Sequence, residues 1–488
     1  MIGRRGQRQR AVGLGVAALF LIGASAGARQ ALDRTKIPPA GPTPVLHVPA
    51  WTRSTLSNGA ELIVSERPGL PIVQFGMTFL GGANQYEPAN RRGMAGLTAA
   101  MMSEGTKTRD ADALANALLL LGSEGTNFGI GGESGSAGFL STASRFKATL
   151  DILVDKLLNS TFPAEALERL RAQRLVTFNQ NKAQPGWIAG RVFPRVLYGA
   201  DHPYGQYVTE ESLKAITRDD VVAFAKAYFQ PGRALITVVG DVKAPAVKAQ
   251  IESALASWPK GGEKPVFQYP AVPAARPTTI HLVDKPGAAQ STFRIGNPGP
   301  ARNTPDYYAL EVMNTMLGGL FQSRLNANIR EEKGYSYGVS SRFAYGRGPG
   351  QFQAGGDIVS AKTDLALVEF MKELRGITGS RPVTDEEMTA AKNSLVLSLP
   401  DQFGSVGGVN GAITNLWITG LPDDYYQQFS ARIAAVTKED VVRVAKKYID
   451  LDHLAIVIVG DRSTIEAPLK ATNIAPIVIA DMDGNVMK

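Results

Sequence analysis

Between residues 217 and 241 the apolar positions change period. Val221, Val222, Ala225 and Tyr228 fall three or four apart, the spacing of one helical face. Thr217 ahead of them is an N-cap, and Asp219 and Asp220 place negative charge in the first turn, where the helix dipole favours it. The run Ala234–Val239 then has the length and composition of a buried strand, stopped by Gly240 and Asp241. The whole pattern returns at one constant offset with no gap. Thr437-Lys-Glu-Asp-Val-Val442 matches Thr217-Arg-Asp-Asp-Val-Val222, Ala445-Lys446 matches Ala225-Lys226, Tyr448 matches Tyr228, and the strand ending Val459-Gly460-Asp461 matches Val239-Gly240-Asp241. A repeat of this length sets the architecture: the chain is predicted to be a duplication.

Pro259, Gly261, Gly262, Pro265, Pro270, Pro273 and Pro277 fill the stretch between the copies, a linker composition. The expected organisation is a signal peptide over 1–28, a Pro-rich arm over 29–47, a first domain over 48–257, a linker over 258–277, a second domain over 278–470 and a tail over 471–488. In the first domain Glu61–Ser65 and Val73–Phe79 are predicted strands, Gly93–Ser103 and Asp110–Leu121 helices, and Gly129–Gly138 a turn between two strands. No Gly-Lys-Ser/Thr follows that glycine run, which makes a phosphate cradle a poor alternative. The expected fold class is α+β, duplicated.

Composition narrows the chemistry. With 488 residues the chain is long enough for two cores. It contains no cysteine, which removes disulfides, thiolate nucleophiles, Cys-ligated metal and a lipoprotein anchor. Arg4, Arg5, Arg8 and Arg10 precede an apolar stretch from Ala11 to about Gly23, and small residues offer cleavage after Ala26 or Ala28, the pattern of an export signal. The stretch is short for a bilayer span of about 20 residues, although an uncleaved anchor is the other reading. A periplasmic protein, off the membrane once the signal is cleaved, is expected. The formal charge of +8 falls to about +4 without the four arginines of residues 1–28, and no basic stripe interleaves with aromatics, so nucleic acid is not an expected partner. Serine hydrolysis has no support: Ser103, Ser323 and Ser336 have no neighbouring His and no Gly-x-Ser-x-Gly elbow.

The segment Gly93-Met-Ala-Gly-Leu-Thr-Ala-Ala-Met-Met-Ser-Glu-Gly-Thr106 resembles the active-site helix of the pitrilysin/insulysin peptidases, a family that includes the mitochondrial processing peptidases. That family carries H-x-x-E-H on this helix. Gly93, Ala95 and Gly105-Thr106 match the frame, but the two His positions and the Glu position hold Gly96, Ala100 and Ala99. The spacing puts all three on one helical face. Two imidazoles would hold zinc there and the carboxylate would activate its water; glycine and alanine do neither. The family's remaining ligand, a Glu on a later helix, falls near Thr177, and the neighbouring Val176 and Asn179 are not carboxylates either. The histidines are His47, His202, His281 and His453, with no two at ligand spacing, and they are expected on the surface or in loops. This chain is therefore expected to bind no zinc or other cofactor, with Gly96, Ala99 and Ala100 packing closely as a filled former site.

The second half holds a different match, Gly318-Gly-Leu-Phe-Gln-Ser-Arg-Leu-Asn-Ala-Asn-Ile-Arg-Glu-Glu-Lys-Gly-Tyr-Ser-Tyr-Gly338. It resembles the C-terminal half of active family members, where an Arg at a helix end and a Tyr in the next strand face the zinc from across a clamshell. The resemblance assigns these roles to Arg330 and Tyr337, with Tyr335 as the alternative if the register shifts. A phenol there donates to the oxygen that gains charge as a peptide carbonyl becomes tetrahedral, and a guanidinium holds substrate carbonyls. Neither needs to touch the metal. Arg324 is assigned a local anchoring role, and Gln351–Ala354 a strand lining the same chamber. The resemblance implies two homologous domains, each a mostly antiparallel sheet packed against helices, forming half of a clamshell. It implies a heterodimer in which an H-x-x-E-H-bearing partner holds the zinc and an unfolded peptide is the substrate. The alternative is a catalytically inactive peptide-binding or assembly subunit.

Overall fold

The structure, a computed structural model, describes residues 46–123 and 125–487. The expected signal peptide and nearly all of the Pro-rich arm lie outside the described residues. The described residues fall within one compact unit.

Its frame is two sheets of six strands. The first contains β1 (Thr52–Thr55), β2 (Glu61–Glu66), β3 (Ile72–Leu80), β4 (Gly129–Ile130), β5 (Ser134–Thr142) and β6 (Ala234–Gly240), in the order β1-β2-β6-β3-β5-β4. The second contains β7 (Thr279–Asp284), β8 (Gln290–Gly299), β9 (Ser336–Ala344), β10 (Gly350–Val359), β11 (Ala455–Gly460) and β12 (Ile477–Ala480), in the order β12-β7-β11-β8-β10-β9. The repeat is visible in the pairing. β6 runs parallel to β2 and antiparallel to β3, as β11 does to β7 and β8. β6 and β11 are buried at every residue, which is why both read as unbroken apolar runs. The helices before them, Arg218–Tyr228 and Lys438–Tyr448, are each opened by a reciprocal capping box, Thr217 with Asp220 and Thr437 with Asp440.

The two halves do not keep separate cores. The helix Pro185–Tyr198 belongs to the first half but packs on β8 and β11 of the second sheet. Its Ile188, Val192 and Phe193 lie in one cluster with Val283, Val457 and Val459, and buried Tyr198 donates to the Gly350 carbonyl of β10 at 2.8 Å. The helix Val406–Thr419 makes the reverse crossing onto β3 and β6, with Ile413, Leu416 and Trp417 packed beside Leu235 and Val239. Gly76 on β3 permits that approach: a Cβ there would stand 2.6 Å from Thr237 Oγ1 and 3.0 Å from Asn410 Oδ1. The sequence shows each apolar helix face but not which sheet receives it.

Residues 471–488, set apart as a tail in the sequence, contribute β12, which pairs in parallel with β7. Asp483 then bonds Arg191 of the crossing helix at 2.6 Å, tying the C-terminal segment to the first half.

Candidate functional site

The helix Met94–Met101 starts on Gly93, whose φ of +101° suits glycine. Glu87 supplies the negative charge at its N-terminus, accepting from Ala95 N–H at 2.5 Å and Gly93 N–H at 3.2 Å. Burial pushes the Glu87 carboxyl up, and those N–H bonds and the adjacent Arg92 pull it down by less. On the face that the family motif would use, Ala99 is buried and Gly96 and Ala100 are half-buried. Over this face lies Arg174, from the helix Ala164–Asn181. Its guanidinium donates to the Gly96 carbonyl at 2.7 Å, and its Nη1 stands 2.9 Å from where a Cβ on Gly96 would lie. Burial lowers the Arg174 pKa, with Glu87 opposing. Thr177, one turn further, is exposed and turns its hydroxyl back onto the Gln173 carbonyl.

The residues present do not fit zinc. The face offers no imidazole or carboxylate, and a guanidinium stands on it. Among the described residues no three His, Asp or Glu side chains group as a metal site. A cation at about 4 Å from a guanidinium loses on the order of 4 kcal/mol per unit of charge at an effective dielectric of about 20. Writing the ligands back as Gly96→His, Ala99→Glu, Ala100→His and Thr177→Glu is therefore expected to leave the chain without stoichiometric zinc, measured by elemental analysis after dialysis. Adding Arg174→Ala is expected to restore binding. Zinc bound at one equivalent with Arg174 intact would show that the arginine does not guard the site.

Of the histidines, His281 alone departs from the expected surface or loop placement. His202 is in a loop but only 5% exposed, stacked on Tyr198, with Nδ1 accepting from Tyr204 N–H. His281 is on β7, and burial pulls its pKa down to about 4. His47 is exposed, and His453 sits beside Asp450 at 2.8 Å.

The second motif forms a structured edge. The helix Tyr307–Asn314 widens into a π-wound turn over Thr315–Gly319, and a second π-wound turn covers Ala327–Glu332. Such widened turns concentrate at functional sites. Arg330 lies in the second. Gly334, at φ +66°, then reverses the chain into β9. Arg324 anchors the segment from below: its side chain is 1% exposed and bonds Glu387 through Nε and Nη2 at 2.7 Å each. Asn326 Oδ1 accepts from Val339 N–H, fixing the segment to β9.

A β-bulge sets the aim of Tyr337. Gly356 pairs with Val339 and Ile358 with Ser336, so Tyr337 and Gly338 together oppose Asp357 alone. Strict alternation would put Tyr337 on the face of Val339 and Phe343, which are buried in the core. The extra residue turns it outward, where it is 88% exposed. Tyr335, the alternative, is half-buried against the core and does not line the cleft. Arg330 and Tyr337 line one open cleft of about 650 Å³, floored by β8, β9 and β10. The Arg330 guanidinium lies 4.3 Å from the Phe321 ring centroid and its Nε is 3.2 Å from Glu331. Gln353 of β10 lines the same cleft, as do Arg294 and Arg342, which sequence reasoning did not select. Arg342 alternates with the buried Ser341 and Phe343, a period-2 signal that marks it as facing away from the core.

Comparison with known proteins finds similar chains and folds. Residues 215–395, which include Arg330 and Tyr337, match the family described as peptidase M16 inactive domain. A solved structure of a peptidase M16 inactive domain from Pseudomonas fluorescens is 27% identical, with a TM-score of 0.77 over 84% of this chain and 98% of that one. The chain is thus similar to a peptidase M16 inactive domain over most of its length. Among curated relatives, an uncharacterized zinc protease of Streptomyces coelicolor is 25% identical over 81% of this chain and 86% of its own length. The non-peptidase homolog YmxG of Helicobacter pylori is 23% identical over 82% and 92%. A second structure, a protease from Helicobacter pylori, shares the fold at TM-score 0.76 and 18% identity over 85% of this chain and all of that one. The chain thus shares this fold over most of its described length, while the helix Met94–Met101 offers no imidazole or carboxylate.

Proposed function

We propose that this chain is the zinc-free subunit of a two-chain peptidase, exported to the periplasm. Its partner would carry H-x-x-E-H and the metal. The carrying observation is the contrast between two sites on one scaffold: the motif helix is filled by Arg174, while Arg330 and an outward-turned Tyr337 share an open cleft. A chain with no catalytic role has no evident need for a bulge that spends a phenol on solvent. In the complex, Arg330 holds a carbonyl of an unfolded peptide, and the Tyr337 hydroxyl donates to the carbonyl oxygen as charge develops on it. The zinc of the partner supplies the polarisation that this chain lacks.

The second reading is a peptide-binding or assembly subunit without a share in cleavage. It is favoured by the name of the Helicobacter pylori relative, a non-peptidase homolog. The two separate by complementation. Each purified chain alone is expected to leave a quenched-fluorescence peptide intact, and the two mixed, this chain with an H-x-x-E-H-bearing M16 homologue, to cleave it. No cleavage on mixing, although the chains co-elute, favours the assembly reading.

A further inference from the structure

Two arginines in the cleft take no part in the proposed Arg330 and Tyr337 chemistry. The register fixes where they lie. Gln353 pairs with Arg342 on β9, while Gly355 pairs with Ser340 on β9 and with Arg294 on β8. Directly opposed residues share a face, so Arg294, Arg342, Ser340 and Gln353 all stand on the open side. The opposite face carries Ile295, Phe343 and Phe352 into the core. Gly355, between Ser340 and Arg294, puts no side chain on the floor.

The charge there is not balanced. Among the described residues, no carboxylate lies within 4.0 Å of either guanidinium. Arg294 is half-buried and donates only to its own Phe293 carbonyl at 2.8 Å. Asp357, the carboxylate lining the cleft, is engaged by Thr292 Oγ1 at 2.6 Å. Arg330 is already offset by Glu331. Burial lowers the Arg294 pKa, Asp357 opposes it, and Arg342 lowers it by less, so two guanidiniums face one lining carboxylate and the floor keeps a net positive charge. An anion paired with both is favoured, and guanidinium forks suit carboxylates.

We infer that Arg294 and Arg342 form a carboxylate subsite that selects peptides bearing a negative charge a fixed distance from the cleaved bond. This deepens the proposed function and rests on it for the word "cleaved"; the binding claim stands on the cleft alone. Because the bulge sets Tyr337 and Gly338 against one residue, Tyr337 and Arg342 are four ladder steps apart on β9, about 14 Å at roughly 3.4 Å per step. A substrate extended along the strand would place its carboxylate about four residues from the bond beside Tyr337. The carboxylate comes either from an Asp or Glu side chain or from the peptide's own C-terminus.

The test reads binding first. Fluorescence anisotropy on the whole chain compares four labelled unfolded peptides of one length. The first is neutral with an amidated end and the second carries one Glu with an amidated end. The third is neutral with a free C-terminal carboxylate, and the fourth carries one Lys. Either the second or the third is expected to bind about tenfold more tightly than the first, which identifies the source of the carboxylate; the Lys peptide is expected to bind most weakly. Arg342→Gln, on an exposed strand position, and Arg294→Gln, checked for an unchanged melting temperature, are each expected to remove that preference. Tyr337→Phe is expected to keep it. Equal binding of all four peptides, no binding by any, or a preference that survives both arginine substitutions overturns the subsite. Failure of cleavage on mixing with a zinc-bearing chain, with the carboxylate preference intact, would instead overturn the two-chain peptidase.

Discussion

Tyr337→Phe is expected to slow peptide cleavage by the reconstituted two-chain enzyme about 10²–10³-fold while leaving KM and the melting temperature nearly unchanged. The magnitude is that of losing one preorganised donor to an oxyanion, about 3–4 kcal/mol of transition-state stabilisation. The substitution removes one oxygen from a side chain that is 88% exposed and makes no hydrogen bond within the described residues, so no folded contact is lost. A uniform weakening of substrate binding would raise KM instead; a donor used only as charge develops lowers kcat. Steady-state kinetics on the mixed chains separates the two. A rate within a factor of about three of the parent would remove the phenol from the chemistry and return the protein to the assembly reading.

The second large effect concerns the crossing helices. Phe193 is 1% exposed and packs the helix Pro185–Tyr198 against the sheet of the other half. Phe193→Ala is expected to cost about 3–5 kcal/mol, the usual range for emptying a buried aromatic site, measured by urea unfolding. Hydrogen exchange is expected to lose protection in residues 185–198 and in β11 together, because one cluster serves both. A cost below about 1 kcal/mol, or exchange confined to the helix, would mean that the helix lies on the second sheet without sharing its core.

Much of this was legible in the sequence, and the gaps have physical causes. The duplication was readable because capping boxes, helical faces and buried strands are local signals repeated in register. The empty zinc helix was readable because missing donors are a matter of residue identity. The occupant of that face was not: Arg174 lies 78 positions from Gly96 along the chain, and nothing local says where a long side chain will turn. The aim of Tyr337 was also hidden. Alternation alone would have sent it inward with Val339, and a bulge is a property of the pairing between two strands rather than of either one. Arg294 escaped notice for a similar reason, since its partner across the floor, Arg342, comes from a strand two places away in the sheet.

The exchange of helices has a mechanical consequence. A polypeptide whose halves each complete the interior of the other cannot bend at the Pro-rich connection between them without pulling an apolar helix out of its seat. It behaves as a stiff shell. On the proposed two-chain reading, admission of a peptide and release of its fragments would then come from movement of this chain against its partner, and cross-linking the two halves of this chain to each other would leave that traffic untouched.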